Sequence, residues 1–200
     1  MHRAILFDLG KVLIHFDFRR GYQALEGHCP HPAAEIPRIL GKTGLVERFE
    51  TGLIEPRDFV AEVSRVLDLD IGYDEFRRIW SCIFTDVLIP ESMLETLGRR
   101  HRLVLISNTN ALHFEMLEEH YGSLLRHFHQ RVLSHEVHAM KPRREIFDAA
   151  VKAAGCPPGQ CFYTDDIRAF VDAARDLGID AVQFESCAQI TEELRARGLW

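Results

Sequence analysis

The stretch Ala4-Ile-Leu-Phe-Asp8-Leu-Gly10-Lys-Val-Leu13 sets a carboxylate at the end of a short apolar run. Ala4 to Phe7 have the continuous apolar character of a parallel strand buried on both faces, and Gly10 marks a turn just beyond it. In an open parallel sheet, ligands bind at the carboxyl ends of the strands, so Asp8 is aimed at the expected crevice. A lone Asp after a strand often does no more than cap a turn. The residues downstream decide how this one is read.

Four further strands are expected, at Leu103–Ile106, Arg131–Leu133, Cys161–Thr164 and Ala181–Phe184, with helical patterns between them. Arg144 to Ala154 places Ile146, Phe147, Ala150, Val151 and Ala154 on one face and stops at Gly155. Ile167 to Leu177 repeats the device with Val171, Ala174 and Leu177, followed by Gly178. This alternation predicts an α/β fold, a parallel sheet with helices on both faces. From about Asp17 to Asp86 the pattern changes. Apolar spacing in Phe59, Val63, Val66 and Leu67, and again in Phe76, Ile79, Trp80 and Ile83, reads as short helices, and no convincing strand appears. The chain is expected to make one strand, leave on a helical excursion, and return to complete the sheet.

Two hundred residues make one domain, or one domain with a modest insertion, and 46% hydrophobic content supplies a full core. A formal charge of −6 argues against a nucleic-acid partner, and the basic runs Arg99-Arg100-His101-Arg102 and Lys141-Pro-Arg-Arg144 are short. The five cysteines are odd in number and scattered, which suits reduced thiols. With no signal-like N-terminus and no apolar span, the expectation is a cytoplasmic protein without a membrane partner. Oligomeric state has no sequence signature here.

Four strand ends present polar groups in order: Asp8; Ser107-Asn108-Thr109; Lys141-Pro142 beyond a loop; and Asp165-Asp166. Singly, Ser107 reads as a helix cap, Lys141 as a surface lysine and the Asp pair as a cap for the helix at Ile167. Jointly they suit phosphoryl transfer through an aspartyl-phosphate. A carboxylate can attack phosphorus only when the charge on both partners is screened. Asp8 with Asp165 or Asp166 offers hard oxygen ligands for Mg²⁺. Lys141 adds a positive clamp, while Ser107 and the backbone N–H groups near Asn108 and Thr109 add a phosphate cradle.

On these residues the chain resembles the haloacid dehalogenase superfamily along its whole length. Phe7 to Leu13 is similar to its first motif and Ile106 to Asn110 to its second. Ser134 through Met140-Lys141-Pro142 is similar to the third, and Phe162 to Asp166 with Ala173 to Ile179 to the fourth. The likeness is greatest to bacterial glucose-1-phosphate phosphatases and to the phosphatase domain of soluble epoxide hydrolases. It implies a Rossmann-like core (1–16 and 87–200) with an inserted α-helical cap (17–86), acting on a small phosphorylated metabolite such as a sugar phosphate. It further implies Asp8 as nucleophile and Mg²⁺ ligand, Asp166 and the Gly10 carbonyl as further ligands, and Asp165 orienting Lys141 or a metal water. Ser107 and Lys141 would hold the phosphoryl group, with Asn108 and Thr109 near the substrate.

The pattern departs from the family at three places. Where its phosphatases carry an acid/base Asp, this chain has Gly10, which spares a carbonyl ligand but removes proton transfer, a contribution of roughly 10²–10⁴ in rate. Lys11 and His15 are candidate substitutes, although solvent exposure or packing explains both. His138 stands where Gly is usual, and Phe170 where a polar residue often follows the aspartate pair. Gly10 also motivates an alternative reading, a pseudoenzyme that binds metal and ligand without turnover. A receiver domain is set aside because its acidic pair comes first in the chain, and dehalogenation because the aspartate pair with Lys141 favours metal and phosphate. The pairs His127/His129 and His135/His138 lack the further ligands zinc needs. Phe49, Phe59 and Trp80 carry core spacing rather than a recognition code.

Overall fold

The computed structural model describes residues 2–200. Ala4–Phe7 forms β1, and all four side chains are buried because both faces of the sheet are covered. Strand alternation sends Ile5 and Phe7 into one cluster with Leu103, Leu105 and Phe162, while Ala4 and Leu6 join Val104, Ile106 and Tyr163 in another. The other strands are β2 (Ile14–Phe16), β3 (Phe84–Val87), β4 (Arg102–Ser107), β5 (Gln130–Leu133), β6 (Cys161–Asp165) and β7 (Asp180–Gln183). Five form a parallel sheet in the order β5-β4-β1-β6-β7, so β1 lies at its centre between β4 and β6. The four downstream strands expected from sequence are β4 to β7, with ends displaced by a residue at most.

The helices are α1 (Phe18–Glu26), α2 (Ile36–Gly41), α3 (Leu45–Glu50), α4 (Pro56–Leu67), α5 (Tyr73–Trp80), α6 (Glu91–Gly98), α7 (Ala111–Leu125), α8 (Ser134–Val137), α9 (Arg144–Ala154), α10 (Arg168–Asp176) and α11 (Cys187–Ala196). Side chains of α6, α7 and α11 cover one face of the sheet, and those of α9 and α10 the other. The amphipathic spacing of α9 is realised, with Ile146, Phe147, Ala150 and Ala154 buried and Gly155 in the left-handed region at φ +66°. The architecture is therefore the α/β, Rossmann-like parallel sheet that the strand–helix alternation predicts.

Helices α1 to α5 pack around a cluster of their own, including Leu25, Phe49, Phe59, Val63, Phe76 and Trp80, joined by Leu112 from α7. Phe49 stacks on Phe59 with centroids 4.0 Å apart, and Trp80 meets Phe59 edge-on at 5.2 Å. These aromatics fill an interior rather than line an entrance. One expectation is corrected. The region up to Asp86 holds part of a strand, β3, which pairs antiparallel with β2 through Ile14↔Val87 and Phe16↔Phe84. Its Thr85 and Asp86 are polar and no face of it is fully buried, so it has no apolar alternation to read. Among the described residues no helix is long and apolar enough to cross a membrane, and all five cysteines are free.

Candidate active site

The parallel register brings the ends of β1, β4 and β6 to one edge of the sheet. The Asp8 amide extends the ladder by donating to the Thr164 carbonyl at 3.0 Å, which sets Asp8 beside Asp165. Lys141, from the loop after α8, reaches between them. Its ammonium donates to Asp8 Oδ1 at 2.5 Å, to Asp165 Oδ2 at 2.6 Å and to the Ile106 carbonyl at 3.3 Å. The Lys141 and Asp165 side chains are 1% and 0% exposed, so this is a buried charge network rather than a surface pair. The Phe170 ring lies 5.2 Å from the ammonium, which places an aromatic face where the family often has a polar group.

Second contacts fix these side chains. Asn108 grips the Lys141 backbone in both directions, its amide donating to the Lys141 carbonyl at 3.0 Å and its oxygen accepting from the Lys141 N–H at 2.8 Å. Thr109 and Ser134 are joined reciprocally at 2.9 and 2.8 Å. Tyr163 donates its hydroxyl to Asp165, whose other oxygen accepts from the Ile167 N–H at 2.8 Å. Asn110 caps α7, and its side chain also meets His113, whose second ring nitrogen reaches the Trp80 carbonyl at 3.0 Å. Ser134 and Tyr163 fall inside the motifs but the sequence assigns them no role, and it does not single out His113 at all. Tyr163 was findable, because on a strand it shares a face with Asp165 two residues on.

Burial pushes the Asp8 carboxyl up to about 7 against the pull of Lys141. Burial also works against the Lys141 charge, but Asp8 and Asp165 outweigh it and hold the ammonium above its usual range. Asp166, half-buried, is raised by burial and by Asp165. Asp8, Asp165 and Asp166 offer ligand oxygens all within 4.8 Å of one another. Three carboxylates facing one buried ammonium leave a surplus of negative charge, and the donors are all hard oxygens. That set fits a small divalent cation. Gly10 lines the small cavity at the same edge together with Ser107 and Asn108.

The Phe16 ring occupies the space beside Gly10. A Cβ built there would lie 2.4 Å from Phe16 Cε1, and the half-buried Phe16 ring also meets Phe18 and Phe84 edge-on with centroids 4.9 and 6.2 Å away. Gly10→Asp alone should therefore lower Tm and fail to raise turnover, measured by thermal melts and phosphate release; overpacking of this kind typically costs about 1–3 kcal/mol. Of the candidate substitutes, Lys11 is near enough to Asp166 for its charge to oppose the upward push of burial there. Lys11 is exposed with its ammonium 5.2 Å over the Phe16 ring, and the exposed His15 bonds Thr85 Oγ1 at 3.0 Å. His138 is exposed too, and its ring Nδ1 lies 2.9 Å from the Thr51 carbonyl. Its φ of +55° explains why glycine suits that position. His127 and His129 make separate contacts with Glu91 and the Leu103 N–H.

The family profile described as haloacid dehalogenase-like hydrolase matches residues 2–178. A curated relative, D-ribitol-5-phosphate phosphatase from Bacteroides thetaiotaomicron, is 25% identical over 205 residues covering 97% of each chain. The chain also superposes on a predicted HAD-like family hydrolase from Porphyromonas gingivalis (TM-score 0.83, 25% identity, 98% of each chain). A HAD family enzyme from Bacteroides thetaiotaomicron, solved as a magnesium complex, is similar at TM-score 0.82 and 25% identity, covering 97% of this chain and 98% of that one.

Proposed function

Given that the chain belongs to the haloacid dehalogenase-like hydrolases, we propose that it is a magnesium-dependent phosphatase acting on a small phosphorylated metabolite through an aspartyl-phosphate on Asp8. The observation that carries this reading is the Lys141 ammonium bridging Asp8 and Asp165 within a three-carboxylate cluster. The phosphatase relative points to a phosphorylated sugar or sugar alcohol as the substrate class.

In this reading Asp8 attacks phosphorus, and Lys141 with the Ser107 hydroxyl holds the phosphoryl oxygens. Asp165 keeps Lys141 in place. Asn108 shapes the cradle by fixing the Lys141 backbone, and Thr109 closes it beside Ser134. Asp8, Asp166 and the Gly10 carbonyl would hold Mg²⁺, which when bound screens the charge of nucleophile and phosphate. The helices within 17–86 act as a cap over the core formed by 1–16 and 87–200. The cavity between Gly10, Ser107 and Asn108 measures about 40 Å³, and a groove of about 420 Å³ lined by Glu50 and Lys141 borders the same site.

The test is phosphate release from an aryl phosphate and a panel of sugar and alditol phosphates, with and without Mg²⁺. Turnover abolished by a chelator and restored by Mg²⁺ is expected. The absence of Asp at Gly10, with Phe16 in its space, favours one competing reading, a ligand-binding pseudoenzyme. Mg²⁺ binding with no turnover of any ester would establish that reading instead.

A further inference from the structure

We infer that Glu50, at the end of α3, is the acid and base that exchanges the leaving-group and water protons in place of the carboxylate missing at Gly10. This rests on the phosphatase reading. Glu50 lines the small cavity over the crevice together with Gly10, Ser107, Asn108 and Thr109. It also borders the groove formed by Met140, Lys141 and Pro142, so it lies between the helical segment and the phosphate-binding loop. Among the described residues its carboxyl has no hydrogen-bond or ion-pair partner. The side chain is half-buried at the mouth of that cavity, so its carboxyl is free to meet an entering ligand.

The backbone that carries Glu50 is held against the loop of the phosphate site. The Thr51 carbonyl lies 2.9 Å from the His138 ring nitrogen. Gly52, at φ +66°, passes so close to α8 that a Cβ there would stand 2.0 Å from the His135 carbonyl oxygen. The chain just after Glu50 is thereby fixed against α8 and His138.

The other titratable groups nearby are unsuited to the task. His113 uses both ring nitrogens and burial pushes it down to about 4, so it is neutral and committed. Lys141 is locked as an ammonium between two carboxylates. Lys11 lies over the Phe16 ring with its charge directed at Asp166, and the exposed His15 is bonded to Thr85. Glu50, by contrast, is pushed up to about 7 by burial and by Glu47 on its own helix. A carboxyl poised there can both give and take a proton at neutral pH. The other groups facing it are Tyr22 on α1 and, across the groove, Lys141 and Arg143.

Protons balance over the two half-reactions. As the Asp8 oxygen bonds to phosphorus, the bond from phosphorus to the leaving oxygen breaks with its electron pair on that oxygen. The oxygen takes the Glu50 proton and departs as an alcohol. The Glu50 carboxylate then takes a proton from water, whose oxygen attacks phosphorus while the bond to Asp8 breaks. Inorganic phosphate leaves, and Asp8 and Glu50 return to their starting states.

The test is Glu50→Gln, assayed as kcat/KM for the alkyl phosphate turned over fastest in the panel and for an aryl phosphate. The alkyl value should fall roughly 10²–10⁴-fold, while the aryl value, whose leaving group departs unprotonated, should change only a few-fold. In the wild type the alkyl-to-aryl ratio should fall as pH rises through about 7, because the donating form is lost there. That fall should vanish in Glu50→Gln and persist in Glu50→Asp, while Glu47→Gln should keep it but move it to lower pH, because the Glu47 charge helps hold the Glu50 carboxyl up. Equal losses for both substrates in Glu50→Gln, or a pH-dependent ratio that survives it, would overturn the inference. A wild type inactive on both esters would instead overturn the phosphatase reading.

Discussion

Asp8→Asn should abolish phosphate release from every ester while leaving the protein folded, with a Tm at or above that of the wild type. The rate side comes from the role. An amide oxygen cannot form the covalent intermediate, and loss of a nucleophile that works as part of a unit typically costs on the order of 10⁴-fold or more. The stability side comes from burial. The Asp8 carboxyl is pushed up to about 7, so at neutral pH the folded state holds its ionised form at a cost. The sign is that of a raised acid: no effect below its unfolded value, and destabilisation growing as pH rises above it. Asparagine removes that charge and keeps the size, and Lys141 still has Asp165. Activity lost together with a large drop in Tm would mean that Asp8 is structural.

Lys141→Met should be damaging in both measurements. The ammonium is 1% exposed and is the single cation bound between Asp8 and Asp165. Removing one partner of a buried ion pair strands the other charges and costs about 3–5 kcal/mol. For a chain of this size that corresponds to a Tm lower by roughly 6–20 °C. Turnover should fall by about 10²–10³ even in the folded fraction, since the cation aimed at the phosphoryl oxygens is gone. A variant that melts like the wild type would show that the three carboxylates do not depend on Lys141 for neutralisation.

The strands and their polar ends were legible in the sequence because buried parallel strands write themselves as apolar runs. Ala4–Phe7 and Leu103–Ile106 need no partner to be recognised, and Asp8, Ser107 and Asp165 sit directly at the ends of such runs. The helix at Arg144–Ala154 was legible for a similar reason, with its face and its Gly155 stop both local. What escaped depends on distant contacts. The ribbon of β2 and β3 is set by pairing across a long excursion rather than by an apolar run. The fit of Phe16 over Gly10 and the approach of Gly52 to His135 exist only once the helical segment is folded back. Glu50 reads along the chain as one more acid at a helix end, and its place in the crevice is a property of the assembled molecule.

The central position of β1 has a consequence for biosynthesis. The strand that leads to Asp8 leaves the ribosome well before either of its neighbours, β4 (Arg102–Ser107) and β6 (Cys161–Asp165). Until then Ala4–Phe7 is an apolar segment with both edges open, the kind of template that nascent chains must shield from one another. A chain stalled before Cys161 would carry that hazard with no crevice to show for it. Asp8 is thus synthesised long before the residues that give it its chemistry.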